Sequence, residues 1–302
     1  MRAVCAYCGA NRSSHAERLR PRVWENISLA QTTMSNPGLP PEILDYIVDF
    51  LQDDLLSLEQ CCLVSKSWVP RARRHIFYII EFETQEDLDT WKKAFPDPSN
   101  SPAQYTRILV MSYFRIVVEE DVTEGGWIPT FPRAVHLELR SEGRAYGPEL
   151  DVSLTPFSKL SPNVKSLSVV SFLGPRLQVF NLIRSLPFLE DLSLVCCVPA
   201  KGDDGRDGPQ TAVPSPISPK LTGTLELLPL RDMAVTVRRL LDLPSGIHFR
   251  TLELSWYEEG EHHYLTELVV ACSDTLESLD VTYELKGAVY PFFFLFRYLL
   301  EH

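Results

Sequence analysis

Several things are scarce or missing in this 302-residue sequence, and each absence narrows what the chain can be. Basic residues are outnumbered, 29 Lys and Arg against 40 Asp and Glu, for a formal net charge of -11. A phosphate-neutralising face needs clustered cations, so nucleic acid is not an expected partner. The one basic cluster is N-terminal, where Arg2, Arg12, Arg18, Arg20 and Arg22 stand against Glu17 and Glu25. The apolar stretch from Ala288 to Leu300 contains Arg297 and falls short of the roughly 20 residues that span a bilayer, so no membrane partner is expected either. No apolar run near Met1 would serve as a secretory signal core. The seven cysteines are an odd number and include the adjacent pairs Cys61-Cys62 and Cys196-Cys197 within apolar runs, where cysteine behaves as a small buried hydrophobe. Reduced thiols and a cytoplasmic or nuclear setting, or both, are the expectation.

Catalytic signatures are also missing. The 14 glycines form no phosphate-cradling loop, and there is neither a nucleophile elbow nor a His-Glu-x-x-His helix. Cys5-x-x-Cys8 with His15 supplies three metal-ligating residues where a structural zinc site takes four. Glu258, Glu259, Glu261, His262 and His263 cluster after an expected strand and read as a solvated turn. No catalytic residue, metal or cofactor is assigned, and a non-enzyme is expected.

What is present begins at Leu39-Pro40-Pro41-Glu42-Ile43-Leu44 and runs to Phe77. Written as a helix, residues 41–51 carry Ile43, Ile47 and Phe50 on one side with Leu44, Val48, Leu51 and Leu55 beside them, and Asp45, Asp49 and Asp53 leave only a thin polar spine. That apolar arc exceeds the roughly 100° a surface helix needs, so the helix should contact its own unit and something else. Asp54 is the expected N-cap of a second helix over Leu55 to Leu63. A third begins near Ser67, with Pro70 in its first turn and Arg71, Arg73, Arg74 and His75 toward its end.

The chain then changes character. Ile76 to Phe82 reads as a strand, and Thr84 with Asp87 as a capping box for a helix bearing Leu88, Trp91 and Phe95. Short apolar strands recur around Leu109, Leu137, Leu167, Leu192, Leu225, Leu252 and Leu279, with spacings of 28, 30, 25, 33, 27 and 27 residues. Helix-compatible stretches such as Arg176 to Leu186 and Tyr264 to Ala271 lie between them. A recurring Leu-x-Leu core at this period predicts an α+β or α/β solenoid of strand-helix units.

The residues Leu39-Pro40, Glu42, Ile43-Leu44, Ile47, Leu51, Leu63-Val64-Ser65 and Trp68 resemble the F-box, and the chain is similar to F-box proteins of the fungal type with irregular leucine-rich repeats. The F-box resemblance covers about 40 residues of the 302. It implies a three-helix module that docks a Skp-family adaptor and through it a cullin. The chain would then be the substrate-receptor subunit of an SCF-type (cullin-RING) ubiquitin ligase, its repeats holding a target protein. The alternative is a repeat scaffold that binds a partner without any ligase. By the resemblance, Leu39, Pro40, Ile43, Ile47, Leu51, Leu63, Val64 and Trp68 match adaptor-facing or supporting positions.

Residues between the strand leucines, among them Glu138, Arg140, Ser168, Ser193, Glu226, Glu253, Ser255, Asp280 and Thr282, would line the face offered to a target. Glu138, Arg140, Glu226, Glu253 and Asp280 are the candidate target-binding residues. The repeats depart from the regular pattern: the position that takes Asn or Cys holds Glu142, Phe172, Cys197, Leu230, Tyr257 and Glu284, and only Cys197 conforms. The expected organisation is a disordered extension over 1–36, with Met34 an alternative start, and an F-box over 37–77. A repeat domain over 78–287 follows, with a disordered insertion over 200–220. An apolar tail over 288–302 either folds across the last layer or belongs to a chain cut short.

Overall fold

The computed structural model describes residues 40–97, 100–112, 131–140, 154, 157, 163–174, 176–195, 197–199, 219–228, 233–256, 262–285 and 288–291. The expected extension over 1–36, nearly all of the insertion over 200–220, and 292–302 of the tail lie outside them.

Three helices open the described chain. Helix α1 (Pro41–Phe50) starts on Pro41, whose missing N–H lies where a helix has no partner for one. Helix α2 (Leu55–Val64) is capped by Asp54, which accepts from the Ser57 backbone N–H at 3.2 Å and from its hydroxyl at 2.7 Å. Helix α3 (Val69–Ile76) carries Pro70 in its first turn and Arg73, Arg74 and His75 in its last, where cations suit the negative end of the helix dipole. Val48, Leu58, Cys61, Cys62, Ala72 and Ile76 are buried among the three. Ile76 closes α3 instead of opening a strand; the chain turns at Phe77 and Tyr78, and β1 (Ile79–Phe82) begins three residues later than expected. Tertiary burial of Ile76 against the helices outweighs its β-branched preference.

Beyond β1 come α4 (Gln85–Ala94), opened by a reciprocal Thr84–Asp87 capping box, and a 3₁₀ turn over Pro102–Tyr105. The series continues with β2 (Ile108–Ser112), β3 (His136–Arg140), β4 (Ser166–Val170), β5 (Leu173–Gly174), α5 (Arg176–Ser185), β6 (Asp191–Val195) and β7 (Val198–Pro199). It ends with β8 (Thr224–Leu228), α6 (Met233–Leu241), β9 (Thr251–Trp256), α7 (His262–Ala271), β10 (Ser278–Leu285) and β11 (Ala288–Pro291). The fold is of the α/β type: eight parallel strands lie side by side in chain order, β1-β2-β3-β4-β6-β8-β9-β10. Strand β11 turns back antiparallel on β10, and β5 pairs with β7 in a separate two-stranded ribbon.

Register follows the leucines. Ile80, Leu109, Leu137, Leu167, Leu192, Leu225, Leu252 and Leu279 are paired neighbour to neighbour across the sheet, so the seven leucines spaced along the sequence stand in one row. Two residues on, Phe82, Met111, Leu139, Val169, Leu194, Leu227, Leu254 and Val281 make a second row on the same face. Side chains two apart share a face, so this pattern alone assigns one side of the sheet to the core.

A backbone rail runs along the strand entries. The carbonyls of Tyr78, Arg107, Val135, Lys165, Gly223 and Arg250 each accept two N–H groups from the next strand's entry, at 2.7–3.3 Å. Glu190 receives only the Gly223 N–H there, because the Thr224 N–H goes to the Asp191 side chain at 2.7 Å. The three helices join the sheet through an aromatic cluster in which Trp91 stands between 4.6 and 6.1 Å, centroid to centroid, from Phe77, Phe82, Phe95 and Phe131. One buried apolar cluster therefore runs from Val48 to Cys272.

Candidate functional site

Helix α1 has two apolar stripes. Val48 is fully buried, and Leu44 and Leu51, in line with it, are half-buried, so this stripe faces the three-helix core. Ile43, Tyr46, Ile47 and Phe50, at positions i, i+3, i+4 and i+7, form the other stripe and face solvent, with Tyr46 70% and Phe50 81% exposed. Helix α2 also carries open apolar side chains, Leu56 at 74% exposure together with Leu63 and Val64. Of the twelve exposed large apolar side chains among the described residues, these seven lie on two short helices. Single exposed hydrophobes are ordinary, but four along one stripe of a single helix are the mark of a surface that meets a partner.

Of the residues expected to face an adaptor, Ile43, Ile47, Leu63, Val64 and Pro40 are exposed, and Leu39 lies outside the described residues. Leu51 and Trp68 are half-buried and packed against the core, so they support the helices from within. The expected set omits Tyr46, Phe50 and Leu56. Their spacing carried the signal: Tyr46 and Phe50 complete the stripe of Ile43 and Ile47, and Leu56 lies seven residues before Leu63.

Asp49 fixes the orientation of this surface. Both of its oxygens receive the Arg71 guanidinium, Nε at 2.5 Å and the second nitrogen in a forked contact, and the His75 ring nitrogen Nε2 lies 2.7 Å away. The Arg71 hydrogen bonds, opposed by partial burial and reinforced by His75, hold the Asp49 carboxyl at about 2. Arg71 is correspondingly pushed up by the same hydrogen bonds. The fork clamps α3 to the last turn of α1 and so sets which side of α1 looks outward.

The other face of the sheet carries a row of side chains that is polar at every strand but β2, where the buried Val110 stands. Glu81, Val110, Glu138, Ser168, Ser193, Glu226, Glu253 and Asp280 are paired in register from β1 to β10. Arg140 bridges the first acids of the row, 2.5 Å from Glu138 and 2.7 Å from Glu81. Burial pushes the Glu138 carboxyl up, yet Arg140 and the His136 ring 3.9 Å away prevail and hold it at about 2. At the other end Glu226, Glu253 and Asp280 occupy adjacent strands with no ion pair among the described residues. Ser193 donates its hydroxyl to Glu226, and partial burial together with the flanking acids pushes Glu253 up. Of the five candidate target-binding residues, then, Glu138 and Arg140 are committed to each other and Glu226 accepts from Ser193, while Glu253 and Asp280 stay available. Ser255, expected on the same face, is buried.

Among the described residues no group of three or more His, Cys, Asp or Glu is arranged to hold a metal ion, and no helix is long and apolar enough to cross a membrane. Compared with known protein families, with curated proteins and with solved structures, the chain matches none.

Proposed function

We propose that the chain is the substrate-receptor subunit of an SCF-type ubiquitin ligase, with α1–α3 as an F-box that docks a Skp-family adaptor and the strand series as an irregular leucine-rich-repeat arc that holds a target. The observation that carries the reading is the second apolar stripe of α1, Ile43-Tyr46-Ile47-Phe50, left open together with Leu56, Leu63 and Val64 after the unit has satisfied its own core. Fully covering a side chain of this size is worth about 1.5–3 kcal/mol, so covering only part of the patch supplies ample driving force for a partner. The repeat reading is supported by strands that follow one another in chain order, with leucines in a single row. Within the ligase the protein would raise the local concentration of its target beside the conjugating machinery, as two binding modules joined on one scaffold do.

Co-purification with a purified Skp-family adaptor tests this. The wild-type chain should bind, and the double variant Ile47→Lys with Phe50→Lys should not, at an unchanged far-ultraviolet spectrum. Failure of the wild type to bind would sink the proposal and leave a ligase-independent scaffold.

A further inference from the structure

A cleft of about 1020 Å³ opens between the three helices and the entry ends of the first strands, and it gathers three arginines that no carboxylate neutralises among the described residues. Arg74, Arg107 and Arg133 line it, and none forms an ion pair among the described residues. The remaining lining charges are mostly spent: Arg71 on Asp49 and Glu81 on Arg140, leaving Asp53 as the opposing acid. In an acidic chain, three open cations against one aspartate make a local exception.

The strand-entry rail sharpens the contrast. It carries two other cations, and each meets a carboxylate at the next step, Lys165 with Glu190 at 2.7 Å and Arg250 with Glu277 at 3.8 Å. Arg107 stands on the same rail between Tyr78 and Val135, which offer no charge. Its guanidinium donates instead to the Arg133 carbonyl at 3.3 Å, which ties two of the cleft arginines together. The cleft wall also includes Tyr78, Ile79 and Tyr105, of which Tyr78 and Ile79 are exposed. None of the seven exposed apolar residues of α1 and α2 lines it.

We propose that this cleft binds an organic phosphate, its phosphate group taken by Arg74, Arg107 and Arg133 and its ring by Tyr78, Tyr105 and Ile79. Guanidinium forks suit phosphate oxygens, and aromatic walls suit a flat body beside them. The volume lies at the upper end of small-ligand pockets, about 300–1,000 Å³, and admits a mononucleotide.

Calorimetric titration of the full chain at low ionic strength tests the assignment with four probes: AMP, phenyl phosphate, adenosine and inorganic phosphate. AMP or phenyl phosphate should bind at one saturable site, and adenosine and inorganic phosphate about tenfold or more weaker. Arg107→Gln and Arg74→Gln should each weaken the tighter organic phosphate by about tenfold. Arg74 is exposed, so its variant decides if Arg107→Gln melts early. The proposal is overturned if neither organic phosphate binds, if adenosine or inorganic phosphate binds as tightly, or if the folded arginine variants bind unchanged.

Discussion

Asp49 shows how one polar side chain can govern an apolar surface. Its carboxyl is held at about 2, below the ordinary 3.8, so its contribution to stability is complete above the ordinary value and lost as pH falls through the lower one. Asp49 is about a third exposed, and solvent screening leaves a contribution of about 1 kcal/mol at neutral pH. Asp49→Asn should therefore lower stability by that amount above pH 4 and approach the wild type only below pH 2, as denaturant unfolding across that window will show. Gly223 makes a second residue-scale case. A Cβ there would lie 1.9 Å from the Asp191 Oδ1 that receives the Thr224 N–H and 3.2 Å from the Glu190 carbonyl. Asp191 would have to swing away and abandon that bond. Gly223→Ala should cost about 1–3 kcal/mol in a thermal melt, despite the usual gain from replacing glycine. Glu253, whose carboxyl burial and its acidic neighbours push up, is disfavoured as an anion, so Glu253→Gln should raise the melting temperature at neutral pH and change little once the pH falls below the carboxylate range.

On the proposed reading, helix α1 separates folding from docking on its two sides. Val48→Ala, on the inner stripe, should destabilise by about 1–3 kcal/mol. Tyr46→Ser with Phe50→Ser, on the outer stripe, should change stability by about 0.5 kcal/mol or less while abolishing adaptor co-purification. Both stripes were legible in the residue spacing, as were the Asp54 cap and the Thr84–Asp87 box, because helix periodicity and capping are local physics. Leu51 and Trp68, which the resemblance puts at adaptor-facing or supporting positions, pack inward, and spacing alone does not separate those two roles. Ile76 shows the same limit, a β-branched residue drawn into a helix by burial. The arginine cleft left no trace in the sequence, since Arg74, Arg107 and Arg133 are separated by about thirty residues and meet only through the parallel stacking.

Across the whole molecule, a single apolar cluster from Val48 to Cys272 means that helices and sheet share one core. Leu167→Ala, at the centre of the leucine row and fully buried, should cost about 2–5 kcal/mol. The sheet and helix signals should then still lose structure in one coincident transition, measured by near- and far-ultraviolet circular dichroism. The sheet face is electrically uneven: acids near β1 are tied up by Arg140, and Glu253 and Asp280 near β10 form no ion pair among the described residues.

The strand-entry rail has an evolutionary side. Each new strand is aligned by two amide groups at its threshold, except β8, where one of the two is received by the Asp191 side chain, and spacings from 25 to 33 residues lead to the same register. Insertions and deletions in the connectors are thereby uncoupled from the alignment of the sheet. A lineage could lengthen one loop, erase another, and diverge past recognition in sequence while every leucine stayed in its row.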